Sequence, residues 1–385
     1  MIKTVFVHDN FVQAGGGERV AEELARCLGD ADIVSTVVVK ERLSPYMQQR
    51  EVKTSWLQNF PAMKRFYRHY FLFYPYAARS LDLSQYDRIV SSCYGFAKMV
   101  RKAPGAVHIC YCHTPTRWIW RYSDYFGREN FGGITQYILK LIIAQMKKVD
   151  LNAAKQVDFF IANSRVVAER IRTYYGREAI VIYPPIQVSR FVCADTVEDY
   201  YLVVSRLVAY KRIELAVQAC EKLGRRLKIV GEGPDRKRLE QLSSKNTEFL
   251  GRQPDSEVTR LMSSCRALIF PGEEDFGLTP LEASASGRPC IAYGAGGALD
   301  TVIPGLNGVH FLEPTADSLV DGIKKLEMSV WNSQTIREHA EKFDVSSFER
   351  QFNEAIESFS RRATGDKQRL KQRTGALSLP RIVGS

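Results

Sequence analysis

Short apolar runs rich in Val, Ile, Phe and Tyr alternate along the chain with amphipathic stretches whose apolar positions recur every three or four residues. This alternation is typical of α/β layers in which helices connect the strands of a parallel sheet. A first series of strands is predicted at KTVFVH, DIVSTVV, DRIVSS, VHICYC, DFFIANS and AIVIYP. A second series is predicted at YYLVVSRL, RLKIVGEG, TEFLG, RALIFPG and PCIAYG.

Helices are predicted between these strands, and Ser164 is expected to cap one of them. They are expected at residues 17–28, 133–155, 164–175, 212–223, 234–244, 255–264, 279–287, 316–327, 332–342 and 345–362.

Two series of strands predict two doubly wound α/β domains, as the length of 385 residues also favours. Pro184 and Pro185 stiffen an extended connection between them. We therefore expect an N-terminal domain at 1–184, a C-terminal domain at 185–344, a helix at 345–362 that returns to the first domain, and a basic, mobile tail at 363–385.

Composition narrows the class of protein. The stretch MIKTVFVHDN has no apolar core with a cleavage site, so it is interpreted as a strand rather than a signal peptide. No apolar run approaches the roughly 20 residues that span a bilayer. The eight cysteines lack CxxC spacing and are interpreted as reduced thiols of a cytoplasmic protein.

The net charge of +11 is unevenly distributed. Residues 40–150 contain 18 Lys and Arg against 7 Asp and Glu, and residues 361–385 contain 7 against 1. The rest of the chain is acidic. One half is therefore expected to meet an anionic partner. Nucleic acid is disfavoured as that partner because no recognition module is visible.

Three glycines follow the first predicted strand and precede a helix, in HDNFVQAGGGERV. The amides of Gly15 to Gly17 and the helix dipole can face an anion. Their spacing differs from the G-x-G-x-x-G fingerprint, so a dinucleotide cofactor is disfavoured. A flexible turn is the alternative interpretation.

Basic residues follow the first strand of the second series, in SRLVAYKR. Ser205 and Arg206 end that strand, at the position where open α/β sheets bind ligands, and Lys211 comes five residues later. Two cations at this edge suit a diphosphate, although Lys and Arg on such loops are also commonly solvated.

The stretch FPGEEDFGLTPLEASASGRP places a loop between a strand and a helix that has Pro280 in its first turn. Gly277 permits close approach of a phosphate to the amides at the helix start. Glu274 on the loop can accept hydrogen bonds from sugar hydroxyls, and Glu282 on the helix from ribose hydroxyls. In the alternative interpretation, Glu282 only compensates the helix dipole and Glu274 is solvated.

Together these motifs resemble retaining glycosyltransferases of family four with the GT-B fold, in which two doubly wound Rossmann-like domains face each other across a cleft. The resemblance covers the chain except its basic tail. It rests on GGGER, SRLVAYKRIELAV, IVGEGPD, FLGRQPDSEV, FPGEEDFGLTPLEASASGRP and YGAGGALDTV, in the expected order. CHTPTRWIW is similar to bacterial mannosyltransferases of surface polysaccharide and lipopolysaccharide biosynthesis.

The resemblance implies a role for each matched residue. The catalytic residues it implies are His113, Arg206, Lys211 and Glu274. The donor-binding residues it implies are Gly16, Gly17, Ser205, Gly231, Gly233, Arg252, Gln253, Phe276, Gly277, Leu278 and Glu282. The residues it implies on the acceptor side are Asp9, Arg117, Trp118 and Trp120.

The implied reaction is a front-face substitution in which the leaving diphosphate takes the proton of the acceptor, and the protein stabilises the developing charge. No cofactor and no obligatory metal are expected, because Asp30-Ala31-Asp32, a D-x-D sequence, is interpreted as a surface turn. GDP-mannose is the favoured donor, and UDP-glucose, UDP-galactose and UDP-N-acetylhexosamines stay open.

The acceptor side is expected in the basic half. In KRFYRHYFLFYPYAARS, residues Lys64, Arg65 and Arg68 alternate with aromatic residues. This composition suits an anionic membrane surface or a polyprenyl-diphosphate-linked acceptor, and equally an amphipathic core helix. Trp118 and Trp120 could wall a sugar pocket or pack between the domains.

The sequence thus predicts a cytoplasmic, membrane-peripheral glycosyltransferase that moves a hexose from a nucleotide diphosphate sugar to a lipid-linked glycan. One alternative is a sugar-nucleotide hydrolase or epimerase on the same fold. The other is an inactive scaffold that binds a glycan or a nucleotide.

Overall fold

The structure is a computed structural model, and it describes residues 2–13, 15–67, 69–122 and 133–375, with the backbone alone for residues 134 and 364–375. Arg68 and the last ten residues of the predicted tail, 376–385, lie outside the described residues.

The first sheet is doubly wound. Its order in the described chain is β3-β2-β1-β4-β5-β6-β7, and β1 pairs in parallel with both β2 and β4. The order therefore reverses between β1 and β4, where doubly wound sheets bind ligands. The strands are β1 Thr4–His8, β2 Asp32–Ser35, β3 Val52–Thr54, β4 Arg88–Cys93, β5 Val107–Cys112, β6 Phe159–Ala162 and β7 Ala179–Val181.

The helices that accompany this sheet vary widely in length. They are Gly16–Cys27, Pro45–Gln49, Met63–Phe66, Tyr74–Arg79, Arg117–Trp120, Gly133–Gln156 and Arg165–Tyr175. The predicted cap of the last one is confirmed, since the Ser164 side chain accepts a hydrogen bond from the Val167 amide.

The second sheet repeats this topology with the order β10-β9-β8-β11-β12-β13. β8 pairs in parallel with both β9 and β11, so the order reverses between β8 and β11. The strands are β8 Tyr201–Val204, β9 Leu227–Val230, β10 Thr247–Gly251, β11 Ala267–Phe270, β12 Cys290–Tyr293 and β13 Gly308–Phe311. The helices are Ile213–Leu223, Arg236–Leu242, Asp255–Ser264, Leu278–Ala285, Ala298–Thr301, Ala316–Glu327, Ser333–Glu341 and Val345–Gly375.

The second sheet is buried on both faces. Tyr201 and Val203 of β8 pack into one apolar cluster, whereas Tyr200 and Leu202 pack into another. Since successive side chains of a strand point to opposite faces, an unbroken apolar run such as YYLVV is what two covered faces require. The parallel α/β class predicted from the sequence is confirmed for both sheets.

The described chain divides into two compact units, one of residues 1–111, 149–161 and 349–385, and the other of residues 112–148 and 162–348. The last helix, Val345–Gly375, mostly belongs to the first unit. There its Phe359 ring stacks on Phe159 with centroids 4.4 Å apart. The helix is 13 residues longer than predicted, because the basic sequence after residue 362 continues the helical backbone instead of beginning a tail.

No helix in the part of the chain that the structure describes is long and apolar enough to cross a membrane.

Candidate active site

The loops after β8 and β9 pack against each other at the reversal point of the second sheet. The Ser205 amide donates to the Val230 carbonyl and the Leu207 amide to the Glu232 carbonyl, each at 3.0 Å. Gly231 has a φ of +134°, and a Cβ atom there would lie 1.9 Å from the Ser205 carbonyl oxygen. Only glycine fits such a position, so this glycine loop supports the backbone that carries Arg206.

Gly233 makes a second close approach, since its Cβ would lie 2.0 Å from the Leu207 carbonyl oxygen. The predicted pair Gly231 and Gly233 is therefore required by packing against the loop after β8. Arg206, the first residue beyond Ser205, is exposed. Further along the same edge, Gln253 donates to the Leu250 carbonyl, and Arg252 is exposed after β10.

Lys211 and Glu274 form an ion pair, although 63 positions separate them in sequence. Lys211 follows β8 and Glu274 follows β11, the two strands between which the sheet order reverses. A Cβ on Gly272 would lie 2.9 Å from the Lys211 Cα atom, so the two loops touch at their backbones. The structure therefore brings together two of the four predicted catalytic residues.

The helix Leu278–Ala285 begins beside this pair. Gly277 precedes it with a φ of +96°, which turns the chain from the loop into the helix. The N-cap residue Gly277 has no side chain that could cap the first amides of the helix, and amides at a helix N-terminus can bind an anion. Glu282, the fifth residue of the helix, is half-buried.

The buried side chain of Phe276 anchors the loop that carries Glu274. Its ring is buried against Tyr183, with centroids 5.6 Å apart, and against Phe343. Leu278 packs against the same apolar cluster. Both side chains therefore hold the backbone at the helix start, and the backbone contacts with the donor predicted for these residues stay a prediction.

Two glycines that follow β12, Gly296 and Gly297, pack against the backbone of the loop that carries Glu274. The Gly297 amide donates to the Glu274 carbonyl at 2.8 Å. A Cβ on Gly297 would lie 2.2 Å from the Phe276 Cα atom, and one on Gly296 would lie 2.3 Å from the Glu274 carbonyl oxygen. These glycines allow a contact that fixes the position of Glu274.

Glu273 and Asp275, the neighbours of Glu274, pair with arginines. Arg121 donates to both oxygens of Glu273, at 2.6 and 3.3 Å. Arg170 pairs with Asp275 and reaches Glu273 at 3.3 Å. The hydrogen bond from Arg121 is the main reason that the pKa of Glu273 lies below its usual range.

His113 is buried near this cluster. Burial lowers the pKa of its imidazole to about 4, and the charge of Asp275 offsets part of that effect. The ring is therefore neutral at pH 7. Its predicted neighbour Arg117 is buried, lies 3.6 Å from Asp275, and donates to the Glu273 carbonyl oxygen at 3.3 Å.

An aromatic ring links Arg117 to Lys211. The guanidinium carbon of Arg117 lies 5.1 Å from the centroid of Tyr210, and the ammonium of Lys211 lies 5.5 Å from it. Burial raises the pKa of Tyr210 to about 12. Tyr210 therefore stays neutral between two cations.

The two tryptophans of CHTPTRWIW differ in surroundings. Trp120 stacks on Tyr174 with centroids 4.7 Å apart, and the Lys147 ammonium lies 5.2 Å from its ring. The Trp120 ring therefore already contacts side chains of the protein itself. Trp118 is half-buried. Acceptor binding by either residue stays a prediction.

In the first unit, Asp9 joins the loops at the reversal between β1 and β4. Its carboxylate accepts hydrogen bonds from the amides of Tyr94 at 2.6 Å and Gly95 at 2.8 Å, and from those of Phe96 and Ala97. Burial raises its pKa, and these hydrogen bonds oppose the rise. Asp9 thus stabilises a turn, and its predicted contact with an acceptor stays a prediction.

Gly16 and Gly17 begin the helix Gly16–Cys27. Glu18 accepts a hydrogen bond from the Gly15 amide at 3.1 Å, and burial raises the pKa of Glu18 to about 7. A Cβ on Gly17 would meet Tyr94 at 3.8 Å, an ordinary contact, so packing does not demand glycine there. The diphosphate contact of this pair stays a prediction.

The D-x-D sequence lies partly in a strand, because Asp32 is the first residue of β2. Its carboxylate accepts hydrogen bonds from Tyr86 and Lys53, and the Tyr86 bond is the main reason that the Asp32 pKa is lowered. Among the described residues, no group of three or more His, Cys, Asp or Glu side chains could hold a metal ion.

Two family models match this chain, one over most of the first sheet and one over the second sheet. Residues 14–190 match the family Glycosyltransferase Family 4, and residues 192–343 match Glycosyl transferases group 1. HepE from Anabaena, solved in complex with UDP and glucose, aligns with a TM-score of 0.69 at 19% identity, over 92% of this chain and 100% of that one.

Among curated relatives, uncharacterized glycosyltransferase MJ1178 from Methanocaldococcus jannaschii is 26% identical over 196 residues, which cover 50% of this chain and 56% of that protein. The chain thus matches about half the length of this relative. Alpha-1,3/1,6-mannosyltransferase ALG2 from Homo sapiens is 24% identical over 307 residues, which cover 68% of this chain and 70% of that protein.

The two parallel sheets and the structural similarity of the chain to HepE define an α/β protein of the GT-B class with two Rossmann-like domains. Together the two family matches extend from residue 14 to residue 343 apart from Phe191, and the chain belongs to glycosyltransferase family four.

Several residues at the site escaped the sequence analysis. The glycines after β12 were visible in YGAGGALDTV, and Glu273 and Asp275 flank Glu274 directly. The aromatic and basic groups gave no local signal, since their partners lie far away in sequence. The residues missed are Arg121, Arg170, Tyr210, Glu273, Asp275, Gly296 and Gly297.

Proposed function

We propose that this protein is a retaining glycosyltransferase that moves a hexose from a nucleotide diphosphate sugar to a lipid-linked glycan. The favoured donor is GDP-mannose, and the product is a precursor of a surface polysaccharide or lipopolysaccharide. The observation that carries the proposal is the Lys211–Glu274 pair at the reversal point of the second sheet, beside an uncapped helix N-terminus. The likeness to a human protein named as a mannosyltransferase supports mannose.

The paired charges suit the two ends of such a donor. Lys211 and Arg206 would neutralise the diphosphate, while Glu274 would accept hydrogen bonds from the sugar hydroxyls. Donor binding would then replace the Lys211–Glu274 pair with two contacts to one molecule. The diphosphate would bind at the helix N-terminus, close to Glu274. Because the Glu274 carboxylate and the phosphate are both negatively charged, they would repel each other, so Glu274 is better matched to the neutral hydroxyls of the sugar.

In the proposed reaction, the bond between the anomeric carbon and the diphosphate oxygen breaks. An acceptor oxygen bonds to that carbon on the same face, and its proton passes to the leaving phosphate. Lys211 and the helix amides would stabilise charge on the leaving group. A neutral His113 would add no positive charge beside an oxocarbenium-like centre.

We place the acceptor side in the basic, aromatic part of the chain and the protein at the inner face of the cell membrane. The segment KRFYRHYFLFYPYAARS forms the two short helices Met63–Phe66 and Tyr74–Arg79 instead of one long core helix. Its exposed apolar side chains are Phe66, Phe71, Leu72, Phe73 and Tyr76. Exposed aromatic residues beside Lys and Arg are typical of membrane-interface surfaces.

Calorimetric titration with a panel of GDP- and UDP-sugars tests the donor site. Lys211→Ala should weaken binding of the donor and of the free nucleoside diphosphate alike, about tenfold or more, because both carry the charge that Lys211 contacts. Glu274→Gln should weaken only the sugar-bearing donor.

The control is Lys222→Ala, which removes an exposed lysine paired with Asp317. It should bind the donor as the wild type does. Equal loss of donor and free diphosphate in Glu274→Gln would remove this residue from sugar recognition, and unchanged binding in Lys211→Ala would refute the diphosphate site.

A further inference from the structure

The loop that carries Glu274 is held at two points by arginines. Arg121 makes a two-bond contact with the Glu273 carboxylate, at 2.6 and 3.3 Å. Arg170 pairs with Asp275 and reaches Glu273 at 3.3 Å. The loop residues on both sides of Glu274 are therefore fixed by planar, bidentate-capable groups.

A third arginine contacts the same loop through its backbone. Arg117 donates to the Glu273 carbonyl oxygen at 3.3 Å, and it lies 3.6 Å from the Asp275 carboxylate. Arg117 and Arg170 are each only 8% exposed, so solvent and salt screen their charges little. These contacts therefore differ from exposed surface pairs, which contribute little to stability or geometry.

The three arginines come from two segments. Arg117 and Arg121 belong to the stretch that begins at His113, and Arg170 belongs to the helix Arg165–Tyr175. The same contacts therefore join the loop to the segment that begins at His113 and to the helix Arg165–Tyr175.

We infer that Arg121, Arg170, Glu273 and Asp275 form a positioning unit for the transfer reaction. They hold the loop so that Glu274 faces Lys211. None of these four residues needs to touch the donor. This inference rests on the proposed function and adds residues that act through Glu274.

A positioning unit has a kinetic signature that differs from that of a binding group. If it sets only geometry, donor affinity survives its loss, whereas the rate of the chemical step falls because the reacting groups are misplaced. A displacement of about 1 Å in an active site can cost on the order of 100-fold in rate.

The test compares Arg121→Gln, Arg121→Lys and Glu273→Gln with the wild-type full-length protein. Arg121→Gln and Glu273→Gln should each lower kcat on the order of 10- to 100-fold, with the donor Kd changed less than about threefold. Arg121→Lys should recover part of the rate because it restores the charge. The double variant Arg121→Gln with Glu273→Gln should be no slower than either single variant.

Arg172→Gln is the matched control. Arg172 lies on the same helix as Arg170 but pairs with Glu169 at the exposed surface, so its loss should leave kcat unchanged. Hydrogen exchange of the amides at residues 272–277 supplies a readout without activity. It should accelerate in Arg121→Gln and stay unchanged in Arg172→Gln.

Unchanged kcat and exchange in Arg121→Gln would overturn the inference. A parallel loss of donor affinity and rate would overturn it as well, because the arginine would then belong to the binding contacts. If the wild type binds no nucleotide sugar, the proposed function fails, and the inference falls with it. The exchange data still report whether the arginines hold the loop.

Discussion

At the scale of single residues, three consecutive carboxylates point to different partners. Glu274 pairs with Lys211, whereas Glu273 and Asp275 pair with arginines. The loop after β11 therefore directs Glu274 to one partner and its two neighbours to others. The sequence predicted Glu274 as a site residue but not the division, since the partner Arg121 lies 152 positions from Glu273.

The glycines after β12 show a second limit of sequence reasoning at this scale. YGAGGALDTV contributed to the family resemblance, yet it contains no polar side chain that would draw attention to Gly296 and Gly297 as supports. Their importance lies in what a Cβ atom would meet, and that depends on a loop more than 20 positions earlier.

Gly297→Ala is expected to displace the Glu274 loop. The new Cβ would lie 2.2 Å from the Phe276 Cα atom, so the backbone must move. We expect a loss of stability of about 1–3 kcal/mol, as for overpacked sites. Donor binding should weaken at least tenfold, because the clash at Phe276 moves the amides at the helix start, which would face the diphosphate, and not only Glu274. Thermal unfolding and calorimetry measure the two effects.

The control for this substitution is Gly133→Ala, at the exposed start of the helix Gly133–Gln156. A Cβ there meets nothing within 4 Å. This variant should keep wild-type stability and donor binding. Donor binding by Gly297→Ala as tight as that of Gly133→Ala would show that the loop tolerates the displacement.

At the scale of secondary-structure elements, apolar periodicity located most of the strands and helices, including all of the elements around the second reversal point. It missed the strands β3 and β13, each of which lies at one edge of its sheet. β3 is three residues long with exposed Lys53 and Thr54, so burial imposes little apolar pattern on it. β13 has the sequence GVHF, in which Gly308 and His310 interrupt the apolar run.

The aromatic segment after β3 shows why composition alone left two interpretations open. Some of its apolar residues, such as Met63, Tyr74 and Ala77, are buried in the core, whereas others are exposed to solvent. The rings of Trp56, Phe60 and Phe73 form a cluster with centroid distances of 5.2 to 6.4 Å. We define the exposed side chains around this cluster as the aromatic surface, which consists of Trp56, Phe66, Phe71, Leu72, Phe73 and Tyr76.

Charge distinguishes the aromatic surface from other exposed apolar residues. Residues 52–81 contain five Lys and Arg and no Asp or Glu. We therefore expect flotation with vesicles that contain anionic lipid, and weaker flotation with neutral vesicles or in high salt. Leu72→Gln with Tyr76→Gln should lower the bound fraction severalfold, because both side chains are exposed and their loss removes apolar contact with the bilayer.

The matched control replaces two exposed apolar residues of the other unit, Leu312→Gln with Met328→Gln, which should float as the wild type does. Equal binding to neutral and anionic vesicles would contradict the electrostatic part of the account. A wild type that floats with neither would remove the membrane from it.

At the scale of the whole molecule, the six strands of the second sheet have the same order as the first six strands of the first sheet, and each sheet carries candidate site residues at its reversal point. Asp9 lies at that point in the first sheet, and Arg206, Lys211 and Glu274 lie there in the second. The sequence predicted that Ser205 and Arg206 lie at the end of a strand, where open α/β sheets bind ligands, but it did not predict the strand order, because alternating strands and helices are compatible with more than one doubly wound order. The length of the final helix was not predictable either, since its basic sequence has few apolar positions.

The most direct test of the central claim measures transfer of the sugar itself. Purified protein is incubated with GDP-[14C]mannose and an extract of bacterial membrane lipids, and label in the organic phase is counted. The account predicts lipid-extractable mannose with wild-type protein, more than with any UDP-sugar, and none with Glu274→Gln. Equal transfer by Glu274→Gln, or no transfer from any nucleotide sugar by folded protein that binds its donor, would contradict it.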